Sequence, residues 1–283
     1  MSHLELGVRD LDDAILFARE VTLLRVTDED DDAVYLSCNE RHHDLVLRLA
    51  PEDCCLAIGF EAAGTDQLEV LAQDAVAAGA SGVAFDTPPG TDAAVRFAMP
   101  DGRGVEIVAA MNLLEQTEAF DVRRPRRFGH VSLKTEDPLA LERFLSAGLG
   151  LRTSDRVGDK AVWMRGDSDH HGVAIMREPI GIHHYAYEMP SWESFRAVAD
   201  DLRARGRKVV WGPGRHGPGN NIFLYFLNQV GCVIECYLDL EQVEHAKAPG
   251  RWPDEPSSFN VWGPPSPHGW HDHGLPHRAR QLA

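Results

Sequence analysis

Gly212–Leu240, GPGRHGPGNNIFLYFLNQVGCVIECYLDL, holds a histidine, a tyrosine and a glutamate that one strand pair can aim into a single pocket. NIFLYFLN alternates bulky apolar with smaller residues, and CVIECYLDL sets Glu235 among Val233, Ile234 and Tyr237. With Asn228 and Gly231 marking a turn between them, the stretch predicts a hairpin. A carboxylate in so apolar a strand needs a partner, because an unpaired buried charge costs several kcal/mol. Glu235 therefore sits at a wet sheet face, in a salt bridge, or on a metal. Cys232 and Cys236 fall on the opposite strand face and should point away from it.

The hairpin closes the last of four similar segments. HLELGVR reads as a strand, DLDDAILFAREV as a helix capped by Asp10, and LLRVTDED, DAVYLSCN and HDLVLRLA as three further strands. The pattern recurs with CCLAIGFEA, the helix TDQLEVLAQDAVAAGA, and strands around VAFDT, AAVRFAMP and GVEIVAAM. A third copy starts at FGHVSLKT, has Leu141, Phe144 and Leu145 as its helical stripe, and continues through LRTSDRVG, KAVWMRG and HGVAIMRE. The fourth starts at GIHHYAYE; its helix carries Trp192, Phe195, Val198, Ala199 and Leu202 at helical spacing.

Each unit buries only one face of its sheet alone, so the four predict an α+β protein of two domains. Each domain pairs two βαβββ modules into a curved, barrel-like mixed sheet around a site. The expected boundaries are 1–115 for a non-catalytic domain, 116–127 for a charged linker containing QTEAFDVRRPRR, and 128–240 for a catalytic, metal-binding domain. The tail, 241–283, is rich in Pro, His and Trp and has no clear period; it would wrap over a surface or stay mobile.

Composition narrows the partners. With 28 Lys plus Arg against 44 Asp plus Glu, a net charge of −16 disfavours nucleic acid and anionic membranes. The five cysteines are odd in number and lack zinc-ribbon spacing, so reduced buried thiols and a cytoplasmic location are expected. The N-terminus lacks signal-peptide character, and no apolar run approaches the length of a membrane span.

His130 opens the third copy's first strand, His183 and His184 the fourth's, and Glu235 lies in the fourth's last strand. Two imidazoles and a carboxylate are the ligand set of a site that keeps metal positions open for reactants. Alternation puts His183 and His184 on opposite faces, so only one can reach a metal. His171 starts another strand of the same half, while His216 and Tyr225 flank the hairpin's first strand. Imidazole titrates near neutral pH and can shuttle a proton; the phenol can hydrogen-bond a bound oxygen.

The ordered set GHVSL, HHGVAIM, IHHYAYE, GPGRHG…LYF and CVIECY resembles type I extradiol ring-cleaving dioxygenases of the vicinal oxygen chelate superfamily. These include catechol 2,3-dioxygenases and homoprotocatechuate 2,3-dioxygenases. The likeness is loose over the repeat architecture and close over residues 128–240. It implies that His130, His184 and Glu235 hold Fe(II), or else Mn(II), and that His171 is the acid/base. It further implies that His216 and Tyr225 assist in the second sphere, and that a homo-oligomer cleaves a catecholic substrate with dioxygen to a ring-opened semialdehyde or related acid. Trp163 matches a ring-pocket position. Trp211 stands where homoprotocatechuate-type relatives place an arginine, which favours a more neutral or bulkier diol.

The competing classes are a glyoxalase-like isomerase or thiol transferase of the same superfamily, and a non-catalytic sequestering protein. In the N-terminal half, His3 and Glu106 match first and third ligand positions but Ala57 occupies the middle one, so no complete triad is expected there. NERHHD, residues 39–44, reads as a solvated turn. The tail's His268, His271, His273 and His277 are given no native site.

Overall fold

The computed structural model describes residues 1–115 and 121–278; the first part of the expected linker, 116–120, lies outside the described residues. Two compact units divide the chain. One comprises Met1–Phe120, Ala147–Gly150 and Pro276–Ala283, the other Asp121–Ser146 and Leu151–Leu275.

The N-terminal unit contains β1 (Leu4–Val8), α1 (Leu11–Glu20), β2 (Arg25–Glu29), β3 (Ala33–Ser37) and β4 (Leu45–Leu49). It continues with β5 (Cys54–Ala62), α2 (Leu68–Ala77), β6 (Ser81–Asp86), β7 (Ala93–Ala98) and β8 (Gly104–Ala109). Its strands form one mixed sheet in the order β2-β3-β4-β1-β5-β8-β7-β6. Each βαβββ module closes on a parallel pair, β1 with β4 and β5 with β8. The antiparallel pair β1 and β5 joins the modules.

The C-terminal unit repeats this plan. It holds β9 (Arg127–Thr135), α3 (Pro138–Leu149) as far as Ser146, β10 (Arg152–Val157), β11 (Ala161–Arg165), β12 (Val173–Arg177) and β13 (Gly181–Glu188). Next come α4 (Trp192–Ala204), β14 (Val209–Arg215), β15 (Ile222–Leu227) and β16 (Val233–Leu238). Here β9 pairs in parallel with β12 and β13 with β16, while β9 and β13 run antiparallel. The predicted hairpin is β15 and β16, with Tyr225 opposite Glu235.

Helix signals hold in both units. Asp10 caps α1 by accepting from the Asp13 amide at 3.0 Å, and Ser191 caps α4 from the Ser194 amide. Phe195, Val198 and Leu202 are buried as the α4 stripe predicts. Trp192 departs from that stripe at 52% exposed, and its ring stacks on the equally exposed Trp262.

The tail is more ordered than its composition suggests. Its β17 (Gly250–Trp252) adds in parallel to β10, giving a nine-stranded sheet, and α5 (Pro256–Phe259) follows. Tryptophans anchor it: Trp270 is buried, and Trp252 Nε1 donates to Asp155 Oδ2 at 2.7 Å. Sequence periodicity missed this because a three-residue strand and a one-turn helix carry no period.

Candidate metal centre

Glu235 lies in the middle of β16 between β13 and β15, so both flanking strands aim side chains at it. It is buried, which excludes the wet-face reading. Its Oε2 lies 2.9 Å from His130 Nε2 and 3.2 Å from His184 Nε2. Tyr225 donates to the same oxygen at 2.9 Å, and Asn221 Nδ2 donates to Oε1 at 2.9 Å. Burial pushes the Glu235 carboxyl up, but the adjoining His130 and His184 override it and hold it well below its usual range.

The tautomers of His183 and His184 follow from their outer partners, whereas His130 Nδ1 has none among the described residues. His183 Nε2 meets the Trp270 carbonyl at 3.0 Å, and a carbonyl only accepts, so that nitrogen carries the proton. Burial keeps His183 neutral, with its pKa well below the ordinary value. Its Nδ1 therefore accepts from His184 Nδ1–H at 2.8 Å. His184 Nε2 is left as a lone pair facing the carboxylate oxygen. Two such lone pairs at 3.2 Å repel unless a cation lies between them. The donor chemistry thus fits a divalent metal held by His130, His184 and Glu235, three buried side chains whose ligand atoms all lie within 4.8 Å of one another.

The β13 register shifts between Ile182 and His184, which corrects the expectation from strict alternation. Both imidazoles line the same cavity, with His184 toward Glu235 and His183 as its outer partner. A bulge redirects side chains that a regular pleat would separate.

His171 stands on the open side of this cluster, its ring 4.4 Å from that of His130. It repeats the paired arrangement: His171 and His170 approach through Nδ1 at 3.1 Å, and His170 Nε2 lies 3.1 Å from Asp155 Oδ2. Burial, reinforced by His130 and His170, holds the His171 pKa well below normal. His216 Nδ1 meets the Phe259 carbonyl, and its Nε2 lies 2.9 Å from the Tyr225 hydroxyl. Burial lowers His216 to about 4 against the opposing pull of Glu235. Burial, together with Glu235, raises the Tyr225 phenol well above its usual value.

A cavity of about 390 Å³ opens beside these groups. Trp163, Trp211, Phe259 and Trp270 supply aromatic walls, and Trp211 stacks on Tyr225 with rings 5.6 Å apart and 12° from parallel. Trp211 Nε1 donates to the Pro264 carbonyl at 3.3 Å. Lys134 Nζ donates to the carbonyls of His271 and His273, fixing the tail at the cavity rim.

Sequence reasoning missed Asn221, Asp155, Phe259 and Lys134. Lys134 shares the β9 face of His130 by period-two spacing and was findable. The others are joined to the site only by tertiary pairing.

The N-terminal unit supplies two corrections. His42, His43 and Asp44 are buried, so NERHHD is not a solvated turn. Asp44 instead accepts from the Cys38 amide at 2.9 Å and from Ser37 Oγ at 3.0 Å, drawing the segment inward. And although Ala57 does break the expected ligand series, His43 joins His3 and Glu106 in a buried three-donor cluster.

Comparison with known proteins places these findings. Residues 127–236 match the Glyoxalase/Bleomycin resistance protein/Dioxygenase superfamily. Metapyrocatechase 2 of Cupriavidus necator is 32% identical over 150 residues, 50% of this chain and 46% of that protein, so the match spans about half the relative's length. The manganese-dependent 2,3-dihydroxybiphenyl 1,2-dioxygenase of Geobacillus genomosp. 3 is 26% identical over 250 residues, 79% of each chain. Among solved structures, the Mn(II)-bound glyoxalase from Novosphingobium aromaticivorans superposes with a TM-score of 0.90 at 28% identity, over 99% of this chain and 95% of that one.

Proposed function

We propose, from the match of residues 127–236 to the Glyoxalase/Bleomycin resistance protein/Dioxygenase superfamily, that the chain is an extradiol dioxygenase opening a catechol-type ring beside its two hydroxyls. The observation that carries this reading is the lone pair of His184 facing the Glu235 carboxylate at 3.2 Å, next to an aromatic-walled cavity. His130, His184 and Glu235 would hold Fe(II), with Mn(II) the competitor; when bound, the ion supplies Lewis-acid and redox chemistry to two oxygen-bearing reactants. The relative from Geobacillus and the Novosphingobium structure, both manganese proteins by name, support keeping Mn(II) in view.

The chain's own residues orient and move protons. Trp163 and Trp211 flank the ring space with uncharged aromatic faces that suit a bulky diol, while Lys134, Lys160 and Arg177 line the same cavity. With Asp155 behind it, His170 Nε2 carries a proton and Nδ1 accepts from His171, leaving the His171 Nε2 lone pair as a base. That nitrogen takes a proton from a reacting hydroxyl and returns it to the opened product. His216 carries its proton at Nδ1 toward Phe259, so the Tyr225 phenol has two acceptors, Glu235 and His216, for one proton. It can turn between them and steady a substrate oxygen.

We place the work of this enzyme in a reducing cytoplasm, as a homo-oligomer; the five buried free thiols support the first part. The test is an oxygen electrode with anaerobically Fe(II)- or Mn(II)-loaded protein, given catechol and 2,3-dihydroxybiphenyl. Stoichiometric oxygen uptake with a ring-opened chromophore is expected. The Novosphingobium neighbour favours a second reading, a glyoxalase-type isomerase, which consumes no oxygen. Turnover of a hemithioacetal without oxygen uptake would replace the first reading with the second.

A further inference from the structure

We propose that His3, His43 and Glu106 form a second divalent transition-metal site, within the N-terminal unit and separate from the ring-cleavage centre. The three side chains are buried, and their ligand atoms all lie within 4.8 Å of one another. A shared ion with bonds of about 2.0–2.2 Å brings ligand atoms to such separations. His3 Nε2 already approaches Glu106 Oε2 at 2.8 Å.

The remaining donor is preset by the same device as in the other unit. His43 Nδ1 meets His42 Nδ1 at 2.9 Å, and His42 Nε2 lies 3.4 Å from Asp28 Oδ2. A proton on the His42 nitrogen beside Asp28 makes His42 Nδ1 the acceptor, so His43 donates there and offers Nε2 as its lone pair. Glu106 is steadied from behind, since Arg96 Nε donates to Oε1 and leaves Oε2 on the His3 side. Carboxylate ligands are ordinarily braced in this way.

The backbone makes room for the imidazoles. A Cβ at Gly59 would lie 2.3 Å from His3 Nδ1, and one at Gly90 would lie 2.0 Å from His42 Cγ. Ala57 stands where an additional imidazole would come, so this unit offers three donors and no fourth from that strand position. The donor set, two imidazoles and one carboxylate, suits zinc and its first-row neighbours. Such an ion ties the residue before β1, strand β8 and the β3–β4 connection together.

The experiment is equilibrium dialysis of the metal-free full chain against Zn²⁺, with bound metal measured per chain. Wild type should bind two equivalents, His43→Ala one and His184→Ala one, while His43→Ala, once reloaded, keeps its catechol-dependent oxygen uptake within about twofold. If the ring-cleavage centre binds no ion, wild type and His184→Ala both hold one equivalent and His43→Ala none, which supports this site and removes the other. One equivalent in wild type that His184→Ala abolishes overturns the proposal and leaves His3 and Glu106 as a metal-free ion pair. Two equivalents retained in His43→Ala overturn it as well. Zinc-edge anomalous diffraction from wild-type crystals, which needs no variant, should show a peak between His3, His43 and Glu106; a peak only at Glu235, or none, overturns it.

Discussion

The two units run the same sheet with different residues at matched registers. Leu4 opposite Leu45 corresponds to Val131 opposite Val173, which aligns His3 with His130 and His43 with His171. Glu106 opposite Gly59 corresponds to Glu235 opposite Ala186. Asp28, His42 and His43 repeat Asp155, His170 and His171, carboxylate behind the outer imidazole in each. The units part at two positions. Ala57 replaces His184, and Arg96 replaces Tyr225. The C-terminal unit thereby keeps a neutral phenol and a third ligand beside an open aromatic cavity, whereas the N-terminal one puts a guanidinium on its carboxylate. A fold that tolerates both shows that reactivity here rests on a few inward positions and not on the sheet.

Glu235→Gln attacks the comparison where the largest effect is expected. Oxygen uptake should fall to background and metal content with it, because the ligand loses its charge inside a buried cluster; Glu106→Gln should leave oxygen uptake intact. Equal losses from both would mean the units act as one centre. His171→Ala comes next, with turnover lowered by about 10²–10⁴-fold, the usual range for a positioned acid/base, and metal retained. Unchanged turnover on a cleaved catechol would remove His171 from the chemistry.

Asp155→Asn should cost about tenfold in turnover, at the low end for outer partners of functional imidazoles. Asp28→Asn should cost nothing in turnover. A steady-state comparison of the two separates a working relay from a merely repeated one. The smallest effect concerns stability. His277 is buried, neither ring nitrogen has a hydrogen-bond partner among the described residues, and burial lowers its pKa from 6.5 to about 3. Between those values the unfolded chain binds a proton that the folded chain does not, so stability is lost as pH falls through that window. In urea titrations, His277→Gln should show a shallower acid decline; an unaltered slope would mean that His277 is already solvated.

Much of the fold was legible from residues alone. Period-two runs such as GVEIVAAM and the helical stripe Leu141, Phe144 and Leu145 announce their elements locally, and four similar segments announce the architecture. The tail escaped because its order comes from Trp252 and Trp270 meeting distant partners. NERHHD was misread for a related reason. Turn-forming residues look solvated until a neighbouring strand brings Ser37 and Cys38 to Asp44.

The order and spacing of His130, His171, His184, His216, Tyr225 and Glu235 were present in the chain as written, and regular period-two runs announce the strands that carry Tyr225 and Glu235. Tertiary pairing alone decided that His183 backs His184, that Asp155 stands behind His170, and that His43 reaches His3 and Glu106. Those contacts join residues far apart in sequence through strand register and a bulge, and no local pattern encodes a distance across a sheet.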